Sequence, residues 1–490
     1  MKRAGCPSLS GASLLACAAL LAAGCTLGPN YQRPSMATPD AWRNAAAPAA
    51  DAGTLANTPW WDLFKDPQLQ ALIRIALQEN QDLRVAIERI VEARARVGYV
   101  RADLFPKVDA GANAGYFEQS REAFPGIAKG TDNSSADYQL FADMSWEIDL
   151  FGRIRRATES ERAILLSTEE TRRAVAISLV AAVARSYVEL RDLDERLEIA
   201  RRTLVSRAHS VDLATVRFRG GLTGEKDQRQ AEAEYRRVEV SALDFERQVR
   251  QKESELAVLL GRPPGDIARG RKLAELPVAM QIPAGLPSQL VDRRPDVLAV
   301  EQQLHSTTAD VGAAKAMLFP RIALTAGYGT SSAELDALFT GPAQAWSVAA
   351  GVLQPVFNAG RNLRRVEIAE SRMRQSLYEY EKTVLEALRE VEDGLVAWEK
   401  TGQQRGSQRA RVEAERKVLQ LSEARWEGGV ADYLEVLDAQ RSLFSAELDE
   451  VQTVSAQMVS LVQLYKALGG GWPTAPAAAP LADDVPSNPR

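Results

Sequence analysis

The chain has 490 residues, of which 26% are charged and 6% aromatic, with a formal net charge of −5. That length suffices for two or three ordinary domains, and the balance suits long exposed helices better than a thick core. The acidic balance gives no pull toward nucleic acid, and two histidines, His209 and His305, leave little for histidine-based catalysis or metal binding.

Residues 1–24 read as a signal peptide. Lys2 and Arg3 precede an apolar run from Leu14 to Ala23, followed by Gly24–Cys25. Cys6 and Cys17 would leave with it. Cys25 would then be the sole thiol of the mature chain, so no internal disulfide is expected. A lone cysteine at a cleavage junction looks like a bacterial lipoprotein acceptor. Thr26 after it, rather than Asp, implies sorting to the outer membrane. The alternative is an ordinary signal peptide with a chance cysteine. No other apolar run of about 18 residues exists, so any membrane crossing must use a closed β-barrel.

Residues 25–66 are rich in Pro, Ala and Asn and read as extended. They hold Gly28–Pro29–Asn30–Tyr31–Gln32–Arg33–Pro34 and Trp60–Trp61–Asp62–Leu63–Phe64–Lys65–Asp66, leading to Pro67. Asp66 suits an N-cap and Pro67 the first helical position. A first repeat is expected over 67–262. It opens with a helical pattern over 67–103, whose stripe begins Leu69, Leu72, Ala76.

Alternation predicts strands over 107–117 and 137–150. In the second, Tyr138, Leu140, Ala142, Met144, Trp146, Ile148 and Leu150 face one way, while Asp137, Gln139, Asp143, Ser145, Glu147 and Asp149 face the other. One apolar side and one wet side is what a wall between lipid and a water-filled lumen requires. From Arg153 to Arg219 there is neither Pro nor Gly. A single helix there would be about 100 Å long, coiled-coil-like rather than globular. A tip at 220–224 and a half-length returning helix complete the repeat.

Residues 263–288 are a Pro/Gly-rich linker, and the plan then recurs over 289–471. Strands are expected at 321–331 and 346–357, a second long helix at about 361–427, a tip at 428–430 and a final half-length helix. Residues 472–490 read as a disordered tail. The two tips match: Arg217–Phe218–Arg219–Gly220–Gly221 and Arg425–Trp426–Glu427–Gly428–Gly429 lie 208 positions apart. Glu435 and Asp438, three residues apart, share one face of the outgoing helix. Asp227 follows the first tip.

The fold class is therefore mainly α with a small β part: long antiparallel helices, four strands and two internal repeats. Four strands cannot close a barrel. Three chains would supply twelve strands around a hollow interior. A soluble coiled-coil scaffold explains the helices but leaves the hairpins and the lipoprotein signal unused.

These segments resemble the TolC-type outer membrane efflux factors, in particular the lipoprotein (NodT-like) branch paired with resistance-nodulation-division (RND) pumps. The resemblance rests on Cys25 to Pro34, Trp60 to Pro67, Leu286 to Asp296 with Glu301, and Gly429 to Gln440. It implies a homotrimer forming an α-barrel and a 12-stranded β-barrel, lipid-anchored through Cys25 in the outer membrane and extending into the periplasm. It implies a pore constriction at Glu435, Asp438, Asp227 and Trp426. Arg217, Gly220, Gly221, Arg425, Gly428 and Gly429 would meet a periplasmic adaptor, the membrane fusion protein, which joins an inner-membrane RND pump. Ala431 falls where some members carry a latch arginine, so a latch here is absent or built differently.

The expected function is a passive conduit exporting small molecules or drugs. The rivals are an outlet for type I protein secretion or metal-ion efflux, and a periplasmic scaffold lipoprotein. No enzyme, cofactor or metal site is expected. Gly220–Gly221–Leu222–Thr223–Gly224–Glu225–Lys226 has the wrong spacing for a phosphate loop.

Overall fold

The computed structural model describes residues 26–44, 65–275 apart from 121, 123–127, 129 and 131, and 287–470. The signal-peptide reading, Cys25, the Trp60–Trp61 motif and the 472–490 tail lie outside these residues. Two compact units share the chain. One holds residues to Ser35, Arg89–Glu169 and Ala299–Tyr380; the other holds Met36–Glu88, Glu170–Leu298 and the chain from Glu381.

The first unit is built on a four-stranded antiparallel sheet in the order β1 (Lys107–Glu118), β2 (Ser134–Ile148), β3 (Arg321–Ser332), β4 (Gln344–Leu353). Its two hairpins come from different repeats and meet at the β2–β3 seam. The register places Val108, Met144, Ala326 and Val348 in one row across the sheet, and Ala110, Ala142, Tyr328 and Trp346 in another. Those rows form one apolar face, and it is bare: Trp346 is 77% and Val348 74% exposed. The opposite face carries Asp109, Asp143 and Ser347. Phe141 lies on that wet face, where its ring covers Gly111. Among the described residues, β1 and β4 have no outer partner.

All four strands differ from the expected bounds, β1 and β3 by one residue at the end, β4 also by two at the start. β2 starts at Ser134 rather than 137 and ends at Ile148 rather than 150. Its start is extended by pairing with the end of β1, Glu118 opposite Ser134, a cross-strand effect invisible to local alternation. β4 ends at Leu353 rather than 357 because its partner β3 begins at Arg321, opposite Leu353.

The second unit contains the helical hairpins. Asp66 caps α1 (Pro67–Glu79), its Oδ1 accepting from the Gln68 N–H at 2.9 Å. Asp66 is itself buried. Its Oδ2 accepts from the Tyr187 hydroxyl at 3.0 Å and from the Arg271 N–H at 3.2 Å, fastening the segment after residue 262.

The pattern over 67–103 is two helices, not one. Asn80 is extended (φ −62, ψ 130) and separates α1 from α2 (Gln81–Arg101). The cause is tertiary. Asn80 Oδ1 accepts from the Leu83 N–H at 3.1 Å and so caps α2, while its Nδ2 donates to the Leu259 carbonyl at 3.0 Å. Leu259 is the last residue of α4 (Glu225–Leu259), which returns from α3 (Arg153–Arg219). One amide thus satisfies an orphan donor of one helix and an orphan acceptor of another. Gly261, at φ +73, lets α4 end so close that a Cβ would lie 2.2 Å from the Glu79 carbonyl oxygen.

The second repeat has the same joint with other chemistry. A short α5 (Pro287–Val291) precedes α6 (Pro295–Ala316). The carbonyl of buried Arg294 accepts the first-turn Leu298 N–H, and its guanidinium donates to the Ala467 carbonyl at 3.1 Å. Ala467 ends α8 (Tyr433–Ala467), which pairs with α7 (Arg361–Glu427). The long helices α3 and α7 each have 67 residues, and the returning α4 and α8 each have 35. Gly394 does not break α7, because it faces Leu464 of α8 in close packing. Buried Val188, Ile199, Leu273, Val451, Val454 and Met458 form one core cluster of this unit.

Candidate functional site at the hairpin tips

Both long helices stop in the same way. The Gly221 N–H donates to the Phe218 carbonyl and the Leu222 N–H to that of Arg217; the Gly429 and Val430 N–H groups do the same for Trp426 and Arg425. Gly221 and Gly429 both sit at φ +73, the left-handed closure that glycine adopts without strain. Gly220 and Gly428 precede them.

Between the hairpins lies a small core of Ala214, Ala231, Tyr433, Val436 and Leu437, with Trp426 packed against it. Trp426 is the hub. Its ring meets Tyr433 at 5.2 Å between centroids, and the Arg217 guanidinium lies over it, 4.6 Å from its centroid. This cation–π contact joins α3 to α7. Beside it is a cavity of about 240 Å³ lined by Arg217, Thr223, Asp227, Trp426, Tyr433 and Gln440. Arg217 Nε, Thr223 Oγ1 and Gln440 Oε1 are buried without a protein hydrogen-bond partner among the described residues.

The carboxylates expected at the constriction divide into two groups. Asp227 lines the cavity with Trp426. Glu435 instead meets Arg425, Nε to Oε1 3.3 Å, and accepts from Ser422 at 3.5 Å. The Asp438 side chain is 74% exposed and lies 3.6 Å from Arg441. Within one chain, then, Glu435 and Asp438 share an outer surface of α8, each beside an arginine, and do not join the cavity.

The strongest tie between the hairpins was not legible in the sequence. Arg441 of α8 reaches Glu234 of α4, with Nε to Oε1 at 2.7 Å. Glu234 is 4% exposed and also meets Arg237 at 2.7 Å. Its hydrogen bond, and then its charge, holds the Arg441 guanidinium above its usual range. Farther along, Arg202 of α3 pairs with Glu447 of α8 at 2.8 Å. Nearby, burial pushes the Arg207 guanidinium below its usual range. The signal in the sequence was only an i, i+3 acidic–basic pair, Asp438 and Arg441, which is common on any exposed helix.

Residues 72–262 and 286–470 match the family described as outer membrane efflux protein. The chain belongs to the outer membrane efflux protein family. It is an outer membrane channel for efflux. Outer membrane protein OprJ of Pseudomonas aeruginosa is 36% identical over 459 residues, covering 93% of this chain and 94% of that protein. The cation efflux system protein CusC of Escherichia coli O157:H7 is 34% identical, covering 93% and 98%. The probable outer membrane lipoprotein SilC of Salmonella typhimurium is 34% identical, covering 92% and 96%. Among solved structures, the outer-membrane channel OprN superposes with a TM-score of 0.83 at 32% identity, covering 91% of this chain and all of that one. The open state of the Neisseria gonorrhoeae channel MtrE gives 0.82 at 32% identity, covering 91% and 98%.

Proposed function

We propose that three copies of this efflux channel close one tunnel through which substrate passes without chemistry. The observation that carries this reading is the four-stranded sheet with a bare apolar face and two unpaired edges. An apolar face of that kind is stable against lipid, and unpaired edges at membrane depth are not, so β4 must pair with β1 of a neighbour. Three such sheets give twelve strands. No helix among the described residues is long and apolar enough to cross a membrane, which leaves the sheet as the crossing element.

At the hairpin tips, three-fold symmetry would gather three copies of exposed Glu435 and Asp438 around one axis, favouring cations. Asp227 and Trp426 would brace the hairpins behind that ring. The glycine tips with Arg217 and Arg425 would meet an adaptor, which links the tunnel to an inner-membrane pump that supplies the energy. Cys25 would carry lipid. The substrate class is set by that pump, since relatives named for cation, toluene and antibiotic efflux match at 34–36% identity alike.

The test is the detergent-extracted full chain in planar bilayers. Trimers with cation-selective currents are expected. Glu435→Ala with Asp438→Ala should reduce the selectivity and the block by divalent cations. Unchanged selectivity removes these residues from the constriction, and a detergent-free soluble monomer without ion current overturns the tunnel itself.

A further inference from the structure

The first described residue, Thr26, is one peptide bond from Cys25. The strap that follows is fastened with unusual thoroughness. The Leu27 N–H donates to the Phe151 carbonyl at 3.4 Å, and the Leu27 carbonyl accepts from Arg156 Nε at 3.0 Å. Arg156 Nη2 also donates to Asn30 Oδ1 at 2.7 Å. Gly28 lies so near Gly312 that a Cβ would fall 2.4 Å from its Cα. Arg33 and the Tyr31 hydroxyl both engage Glu301, at 2.7 and 3.1 Å, and the Tyr31 ring stacks on His305 at 4.7 Å. This is far more fixation than a flexible leader to a lipid requires.

What the fixation creates is a groove. Leu27, Leu318, Phe319, Leu363 and Val366 line about 460 Å³ of surface cleft. Phe319 is held by stacking on Phe151 at 4.9 Å. Lys315 and Glu367 are the charged residues of the lining, and each is paired, Lys315 with Glu370 at 3.1 Å and Glu367 with Arg364 at 2.7 Å. The groove has apolar walls, Leu363 is 60% exposed in it, and the residue after Cys25's neighbour forms one wall. Successive Cα atoms are about 3.8 Å apart, so the Cys25 Cα is at most about 7–8 Å from that of Leu27, and a chain bonded to its sulfur can reach this cleft.

The geometry points to this groove as the seat of an acyl chain carried by Cys25. The inference rests on the proposed lipidation of Cys25 and adds where the lipid goes. The occupant is the chain's own modification rather than a free phospholipid or a second copy, because Leu27 both lines the cleft and is locked two residues from the attachment atom. The groove would steer the acyl chain away from the periplasm along Leu363, beside the ends of the strands that enter the bilayer.

The test places the photoreactive residue p-benzoylphenylalanine at 363 in the full chain, expressed with its own leader and irradiated in native membranes. Leu363 is exposed, so the substitution leaves the core intact. A control carries it at Leu421, which is 54% exposed in the helical unit. Peptide mass spectrometry is expected to find residue 363 joined to the acylated Cys25 peptide. No such adduct should form at 421, and Cys25→Ser should abolish it. Adducts at 363 only with phospholipid or with another chain, alongside an acylated Cys25 peptide, overturn the groove assignment while leaving the lipoprotein reading standing. An unmodified Cys25 peptide overturns both.

Discussion

Asn80→Ala tests the joint between α4 and α2. The side chain is 5% exposed and makes two hydrogen bonds, one to the Leu83 N–H and one to the Leu259 carbonyl. Losing an N-cap costs about 1 kcal/mol. Leaving the half-buried Leu259 carbonyl without its donor costs at most about 1–3 kcal/mol. The sum is at most roughly 2–4 kcal/mol, localised where two helices abut. Global melting of a membrane-embedded oligomer is not two-state, so the assay should be local. Hydrogen exchange of the detergent-extracted channel reads the amides of the first turn of α2. An opening free energy lowered by about 2 kcal/mol corresponds to roughly 30-fold faster exchange there, at tenfold per 1.4 kcal/mol. Gln81→Ala, at the exposed neighbour, should leave it unchanged. Equal protection in the Asn80→Ala protein, or a loss spread evenly over all helices, would refute the view that this amide is the pin of the joint.

The other expectations use the same contrast between fastened and free positions. Gly261→Ala forces a Cβ onto the Glu79 carbonyl at positive φ, whereas Gly429→Ala meets open space at the same φ; the first should abolish accumulation of folded channel in outer membrane fractions, and the second should cost only the left-handed strain of about 1–2 kcal/mol. Equal yields would contradict the packing account. Arg441→Ala removes a charge-assisted tie worth about 1.5 kcal/mol or more between α8 and α4, so single-channel recordings should show roughly tenfold more frequent opening, with Arg441→Lys intermediate. An unaltered opening frequency means the tie does not restrain the tips.

Asp192 gives a pH signature. Burial pushes its carboxyl up to about 6 from the 3.8 of a free group, with Arg196 opposing and Glu195 and Glu189 adding to the rise. The fold therefore holds this proton where the unfolded chain has lost it, and stability falls as pH rises from about 4 to about 6. Asp192→Asn should slow hydrogen exchange of the surrounding α3 amides, corrected for the intrinsic rate, at pH 7.5 and leave it nearly unchanged at pH 4.5; the same change at both values argues against a buried charge.

Much of this architecture was open to reading because its rules are local. Absence of Pro and Gly over 67 residues, paired glycines at both tips and period-two alternation over most of β2 each follow from backbone freedom or side-chain direction. What stayed hidden depends on partners distant in sequence. Asn80 looks like any helical polar residue until Leu259 arrives, and Glu234 looks solvated until Arg441 closes on it. Phe141 breaks the polar alternation for the sake of Gly111 on the next strand. At the tips, Trp426 and Glu435 stood out because they flank a visible turn, whereas nothing near Arg217 in sequence announces that it will cover an indole in the other repeat.

The β2–β3 seam joins two repeats inside one polypeptide by the same antiparallel contact that neighbouring copies must make around the proposed ring. A half-length ancestor would already have owned every joint of such a cylinder, and six of its copies would complete one. Fusion then released the two halves from having to stay alike: Asn80 and Arg294 now solve one mechanical problem in two ways, and the carboxylate pair sits beyond one tip only. In the proposed trimer an opening stimulus would thus meet two unlike hairpins in alternation.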